Sequence, residues 1–343
     1  MKGPRNDRER LILATLVEEY IRVGEPVASG ALARLGNVGL SPASIRKSLA
    51  ELEGLGLLSQ AHSSAGRTPT EMGFRSYVND LLANMALSER AKDIIEESLA
   101  AGDPESIFSL CSRVLSNLTS QMGLIVAPGA DRLWLKRLFF VSLAPGEALA
   151  VLVTENGLIH NRILSPSEDY DQDQLNEVNN FLETLATPFT LEEIRDIGLA
   201  AMSRERREFE RLYQRVLALV AEAAAKEETL ERPIFLDGEG RERLWEHPDL
   251  AAAETMRALF LAFENKRRLV ELLDDIAEAG KVQVVFGPSG QKDDGLALVA
   301  SPYFRGDKGA GALGVLGPRR LNYSEVLPVV DYAARVLSGL MKK

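Results

Sequence analysis

The chain has 343 residues, room for two or three domains, and its 45% hydrophobic and 26% charged residues are the make-up of an ordinary soluble globular protein. No run of about 18 apolar residues occurs, and the start "MKGPRNDRER" has no apolar segment behind its basic residues, so neither a membrane span nor a secretory leader is expected and the location expected is cytoplasmic. The single cysteine, Cys111, leaves no internal disulfide and no cysteine-cluster metal site, and the net charge of −10 leaves no uniformly basic surface.

That charge is unevenly spread. Residues 1–80 hold ten Lys and Arg against nine Asp and Glu, so the acidity lies in the remainder of the chain, as it would for a DNA-binding head on an acidic body. In "DRERLILATLVEEYIRVGEPV", Ile12, Leu16, Tyr20 and Val23 share one helical face and Gly24 ends the helix. "ASGALARLG" is a short second helix, and "NVGL" leads to a third that starts at "SPASIRKSLAELE". There Ser41 is a good N-cap, Pro42 suits the first helical position, and Ile45, Leu49 and Leu52 form the buried stripe. The periodicity leaves Ala43, Ser44, Lys47, Ser48 and Glu51 pointing outward, with Arg46 at the edge of the stripe. Small residues at the tip with cations just behind them let such a helix sink into a DNA major groove. "GLLSQAHSSAGRTPT" then reads as two short extended pieces around a polar tip that carries His62 and Ser64, with Arg67 beside it as a cation for the DNA backbone. Together these make a helix-turn-helix followed by a wing, and Thr70 caps an exit helix.

Residues 89–103 are polar and charged enough to form a linker, with the break near "GDP". From about residue 104 the pattern becomes α+β. A helix in "ESIFSLCSRVLSNLTSQM" leads to strands near 123–126, 133–143 and 148–153, and Asn156-Gly157 marks a hairpin. A second group of strands, "KVQVVFG", "GLALVASPYF" and "GALGVLGP", is closed by the helix in "NYSEVLPVVDYAARVLSGLM". The stretch between them, about 170–279, reads as almost wholly helical. Its apolar stripe Phe209, Leu212, Val216, Leu219 and Val220 is wide enough to need a covering partner, expected to be a second copy of the chain.

No pattern for catalysis stands out. His62, His160 and His247 lie in separate regions without partners at metal-ligand spacing, so no metal and no cofactor are expected. "RGDKGAGALGVLG" is glycine-rich, but Lys308 is followed by Gly309 and the segment leads into a strand, whereas a phosphate-binding loop runs from a strand into a helix. The expectation is a binding protein and not an enzyme.

The stretches "EEYIRVGEPVAS", "SPASIRKSLAELEGLGLL", "HSSAGRTPTEMGFRSYV" and "GALGVLGPRRLNYSEVLPVVDYAARVLS", in this order, resemble the HrcA family of bacterial heat-inducible transcription repressors. The resemblance implies an α+β multidomain protein with a winged helix-turn-helix and exit helix over 1–88, the linker over 89–103, a GAF-like domain in two halves (104–189 and 280–343), and an inserted dimerisation domain over 190–279. It implies a homodimer on the double-stranded DNA of an inverted-repeat operator, repression of chaperone operons, and a chaperonin that assists folding into the active form. The DNA-binding residues expected on these grounds are Ser41, Ala43, Ser44, Arg46, Lys47, Ser48, His62, Ser64 and Arg67. Lys47 and Ser48 stand where such repressors usually carry Asn and Asp, and Gly30 where they usually carry Lys, which changes the base edges that can be read. The alternative is a winged-helix repressor of another regulon, controlled by a small ligand in the GAF-like domain.

Overall fold

Asn6 starts the first helix, α1 (Asp7–Val23): its side chain accepts a hydrogen bond from Glu9 N at 2.9 Å, and the helix closes on Gly24, whose φ of +80° lies in the left-handed region. In this computed structural model, residues 4, 6–35, 39–60, 66–102, 106–128, 135–154, 159–166, 168–185, 189–191, 193–194, 196–197, 210–225, 234–245, 247–250, 255, 257, 266–290, 295–306 and 308–341 are described. Helix α2 (Ser29–Arg34), helix α3 (Pro42–Gly54), the two-residue strands β1 (Leu58–Ser59) and β2 (Thr68–Pro69), and helix α4 (Glu71–Leu82) complete the head. Ile12, Leu16, Leu32, Ile45, Leu49 and Leu52 are fully buried among these helices, as their spacing requires. Strands β1 and β2 pair antiparallel, and an isolated bridge between Val27 and Arg67 ties the ribbon to the α1–α2 connection.

The expected linker is not one. Residues Glu89–Ala100 form helix α5, capped by Ser88, and its Ile95 and Leu99 are buried against the last helix, α11 (Tyr323–Leu340). Its charged residues are the solvent face of an amphipathic helix, which composition alone does not distinguish from a linker. Head and body share one core. Phe74 of α4 lies 6.1 Å from both Phe286 and Tyr323 and 6.2 Å from Tyr20, and Arg75 sits over the Phe286 ring at 5.1 Å.

Helix α6 (Ile107–Thr119) leads into strand β3 (Met122–Val126), the first strand of a five-stranded antiparallel sheet whose other members come from the far end of the chain. The order is β7 (Ile234–Leu236), β3, β10 (Lys308–Pro318), β9 (Leu296–Arg305), β8 (Gln283–Phe286). Both faces are buried. Ile125, Val299, Leu313 and Val315 face α6 and α11, while Leu124, Leu298 and Leu316 face helices α9 (Gly238–Trp245) and α10 (Lys266–Ala279). Burial on both sides explains why these strands read as continuous apolar runs. Lys308 opens strand β10, so the glycine-rich stretch is part of a strand pair.

The remaining strands form a separate sheet. Strands β4 (Leu135–Ala144), β5 (Glu147–Thr154) and β6 (Ile159–Leu164) pair in sequence order as an antiparallel meander; the expected Asn156-Gly157 turn lies outside the described residues. Leu138, Phe140, Ala150 and Leu152 on one face are buried by helices α7 (Gln172–Glu183) and α8 (Glu210–Ala225), and the result is a core of its own. This corrects two expected boundaries. The inserted unit begins at β4 and ends with α8, instead of spanning 190–279, and strand β7, inside that expected span, belongs to the five-stranded sheet. Meander strands satisfy their backbone groups with their neighbours in sequence, so β4–β6 have no need of the larger sheet, whereas β3 finds its partners in β10 and β7.

Candidate nucleic-acid interface

Helix α3 begins where the sequence places it. Ser41 is extended at φ −65° and ψ 151°, its hydroxyl accepts a hydrogen bond from Ser44 N at 3.3 Å, and Pro42 occupies the first turn without losing a bond. Ile45, Ser48, Leu49 and Leu52 are buried, while Ser41, Pro42, Ala43, Arg46, Lys47 and Ala50 are exposed and Ser44 is half-buried. The exposed face therefore has small residues at its tip and two adjacent cations one turn further on. Ser48 is a correction. It is 3% exposed because it stands three residues after Ile45 and four before Leu52, on the same face as the apolar stripe.

Arg67 is the second correction. Its backbone exchanges hydrogen bonds of 2.9 Å with Val27, and its guanidinium turns onto α3, where Nε donates to Glu53 Oε2 at 3.0 Å. With the side chain 13% exposed, it braces the ribbon against the helix and is not presented to a phosphate. His62 and Ser64 lie outside the described residues. Arg8, which sequence reasoning passed over as one cation of the basic start, is exposed and donates from Nη2 to Ser44 O at 3.3 Å, which sets it at the tip of α3. The signal for it was present: a cation in the first turn of α1 is far in sequence from residues 41–48 but adjacent in a three-helix head.

The residues expected to join two chains are placed inside one. Val216 and Leu219 are fully buried in the core beneath the three-stranded sheet, Leu212 is half-buried against it, and Phe209 lies outside the described residues. The stripe on α8 is real, but α7 and the sheet cover it. Among the described residues of these three strands, apolar side chains also occupy the other face of the sheet. Phe139 aligns with Val151, Val141 with Leu149, and Leu149 with Ile163, while Ile159 and Ile163 are 68% and 54% exposed.

Burial pushes the Cys111 thiol up to about 12, so it is an inert core group, and burial lowers the pKa of His160 below its ordinary value. Among the described residues no group of three or more His, Cys, Asp and Glu is arranged to hold a metal ion, and no helix is long and apolar enough to cross a membrane. A cavity of about 490 Å³ opens between the α4–α5 connection and α11, lined by Leu82, Met85, Leu87 and Pro328. The two cations on its wall, Lys92 and Arg335, are paired with Glu89 and Asp331.

A family model for the HrcA protein C-terminal domain matches residues 105–327. The chain is 33% identical over 341 residues to the heat-inducible transcription repressor HrcA of Syntrophobacter fumaroxidans, covering 98% of this chain and 97% of that one. It is 34% identical to the repressor of the same name from Geobacter sulfurreducens over 98% of both chains, and 37% identical to that of a Bradyrhizobium species over 98% of this chain and 94% of the other. A crystal structure of a hypothetical protein at 2.2 Å resolution has the same fold, with a TM-score of 0.62 and 24% identity over 98% of each chain. A family match over more than half of the chain, and relatives that run its whole length with the same name, place this protein in the HrcA family of heat-inducible transcription repressors.

Proposed function

We propose that this heat-inducible repressor works in the cytoplasm as a homodimeric winged helix-turn-helix protein that lays the N-terminal half of α3 in the major groove of an inverted-repeat operator upstream of heat-shock genes. The observation that carries this is the exposed face of α3. Ala43 and Ala50 leave the helix backbone free to approach the base pairs, and Arg46 and Lys47 are the side chains long enough to reach guanine O6 and N7. Arg8 beside the helix tip suits a phosphate, which fixes register without reading sequence. In this reading the five-stranded sheet with its flanking helices is the GAF-like body.

A two-fold repressor needs a surface that binds itself. The outer face of the three-stranded sheet supports that role: Phe139, Val141, Leu149, Val151, Ile159 and Ile163 form one apolar patch, and among the described residues α7 and α8 pack on the opposite face only. The chaperonin, in turn, would set the fraction of chain in its active fold. A protein whose head, body and insert must all be in place loses active population for a small change in free energy, so unfolded clients that occupy the chaperonin in heat would relieve repression.

The test is to select duplexes from a random pool with the full chain, and then to titrate salt on the enriched sequence. The expected result is an inverted repeat whose log affinity falls linearly with log salt, and a loss of about 1–3 kcal/mol for Arg46→Ala at one base position of each half-site. An unenriched pool, or binding indifferent to salt, would overturn the reading.

A further inference from the structure

The loop between β10 and α11 carries Arg319 and Arg320, the "PRR" of the C-terminal stretch, and DNA contact gives Arg320 no role. Its guanidinium joins three segments that are distant in sequence. Nε donates to Asp249 Oδ2 at 2.6 Å, Nη2 to Asp249 Oδ1, and Nη1 to Ile21 O at 3.3 Å and Tyr20 O at 3.5 Å. The Tyr20 ring lies 6.0 Å from Arg320 Cζ. The two carbonyls belong to the last turn of α1, the negative end of that helix, where a cation is favoured. Gly24 just beyond suits its φ of +80°, and a Cβ there would come within 2.7 Å of Arg320 Cζ and displace the guanidinium. Asp249 stands in the 3-10 turn Pro248–Leu250, and Leu250 is fully buried in the core on the α9–α10 face of the sheet. One side chain thus fastens the head to the sheet loop and to the layer behind the sheet.

Most of the other head–body contact described above is aromatic and apolar, and such contact is not directional; a Tyr77–Ser324 hydrogen bond and Arg75 over the Phe286 ring lie beside it on α4. The guanidinium bonds are directional, bidentate to a carboxylate and forked onto two carbonyls. Helix α1 has 17 residues and is therefore about 25 Å long. Its clasped end is at Tyr20 and its other end carries Arg8, which touches the tip of α3. Arg8 is 12 residues, or about 18 Å, from the clasp, so a tilt of about 10° there moves that tip by roughly 3 Å, comparable with the rise of about 3.4 Å between base pairs.

We propose that Arg320, oriented by Asp249, is a positioning residue for operator binding: it sets the angle of the head on the body, and so the separation of the two recognition helices in the dimer. This rests on the DNA-binding reading above and adds the element that determines half-site spacing. Two linked half-sites gain affinity only when both can be engaged together, so a head released from the clasp loses the preference for one spacing while each half-site contact survives.

The experiment uses the full chain with Arg320→Gln and, separately, Asp249→Asn. Each is titrated against the selected operator, against operators with one or two base pairs added or removed between half-sites, and against a duplex with one half-site. Spin labels at Arg34→Cys and Glu278→Cys, both exposed, report the head–body distance, and the buried Cys111 stays unlabelled. The expected result for both variants is a loss of roughly 10- to 100-fold on the selected operator, a flattened spacing preference, unchanged half-site affinity and a broadened distance distribution. Unchanged spacing preference with an unbroadened distribution overturns the proposal and leaves the DNA-binding reading standing. Loss of half-site affinity together with loss of helical circular dichroism also overturns it, because Arg320 would then be supporting the fold. If the unmodified protein binds no duplex in a salt-dependent way, both readings fall together.

Discussion

Replacing Ile163 by aspartate separates the two surfaces that the sequence alone could not tell apart. Ile163 is 54% exposed on the outer face of the three-stranded sheet, while Leu219, on the stripe of α8, is fully buried beneath it. Complete burial of an isoleucine side chain is worth about 1.5–3 kcal/mol, so its exposed half is worth about 0.8–1.5 kcal/mol when a second copy covers it. Two-fold symmetry repeats the contact, which makes about 1.5–3 kcal/mol per dimer, or roughly 10- to 150-fold in the dissociation constant. Burying the new carboxylate costs more, so this is a lower bound. The paired control is Leu219→Ala, which deletes fully buried atoms and costs about 2–5 kcal/mol in the stability of the inserted unit. Sedimentation velocity over a dilution series reads the first effect, and denaturant unfolding followed by hydrogen exchange in β4–β6 reads the second. The expected outcome is a weakened dimer of normal stability for Ile163→Asp and a destabilised insert for Leu219→Ala. A dissociation constant within twofold of wild type for Ile163→Asp, or a Leu219→Ala variant that dissociates without losing stability, refutes the assignment.

Lys47→Ala should weaken operator binding by about 1–3 kcal/mol, while Ser48→Ala, at a buried position, should leave affinity within about twofold; fluorescence anisotropy on one duplex compares them directly. Arg67→Ala removes the brace on Glu53 and should raise hydrogen exchange in β1 and β2 by an amount worth about 1–3 kcal/mol, with the slope of log affinity against log salt unchanged. Gly30→Lys places a new cation at the start of α2, where a Cβ meets nothing within 4 Å, and should steepen that slope by about one unit. Burial keeps His160 neutral below its ordinary pKa of 6.5, and its Nε2 has no hydrogen-bond partner among the described residues, so the unfolded chain takes up the proton first. The stability this contributes is complete above about pH 6.5 and is lost as pH falls through the lowered value. Thermal midpoints measured at about pH 7.5 and 5.5 should drop more for wild type than for His160→Gln.

The local choices of this chain were legible in its sequence. Ser41 and Pro42 start α3 and Gly24 ends α1 because caps and glycines act within a few residues, and Ile45, Leu49 and Leu52 are buried because periodicity along one helix defines its inner face. The same periodicity held the answer for Ser48, which shares that face; its polarity hid it. The tertiary structure alone decided what covers each face and which strand finds which partner. Arg67 is a cation near a turn in the sequence, and only the fold brings Glu53, fourteen residues earlier, to neutralise it. The stripe on α8 announces burial without naming the surface that buries it, since hydrophobic contact is not directional and α7, the sheet or a second chain would satisfy it equally. Strand β7 pairs with β3 across more than 100 residues, and β4–β6 close on themselves, because a strand's hydrogen bonds are completed by whatever backbone the rest of the chain delivers to its edge. Asp249, Arg320 and the end of α1 meet for the same reason: each is an unremarkable polar group in its own segment, and their geometry exists only once three layers of the protein have packed.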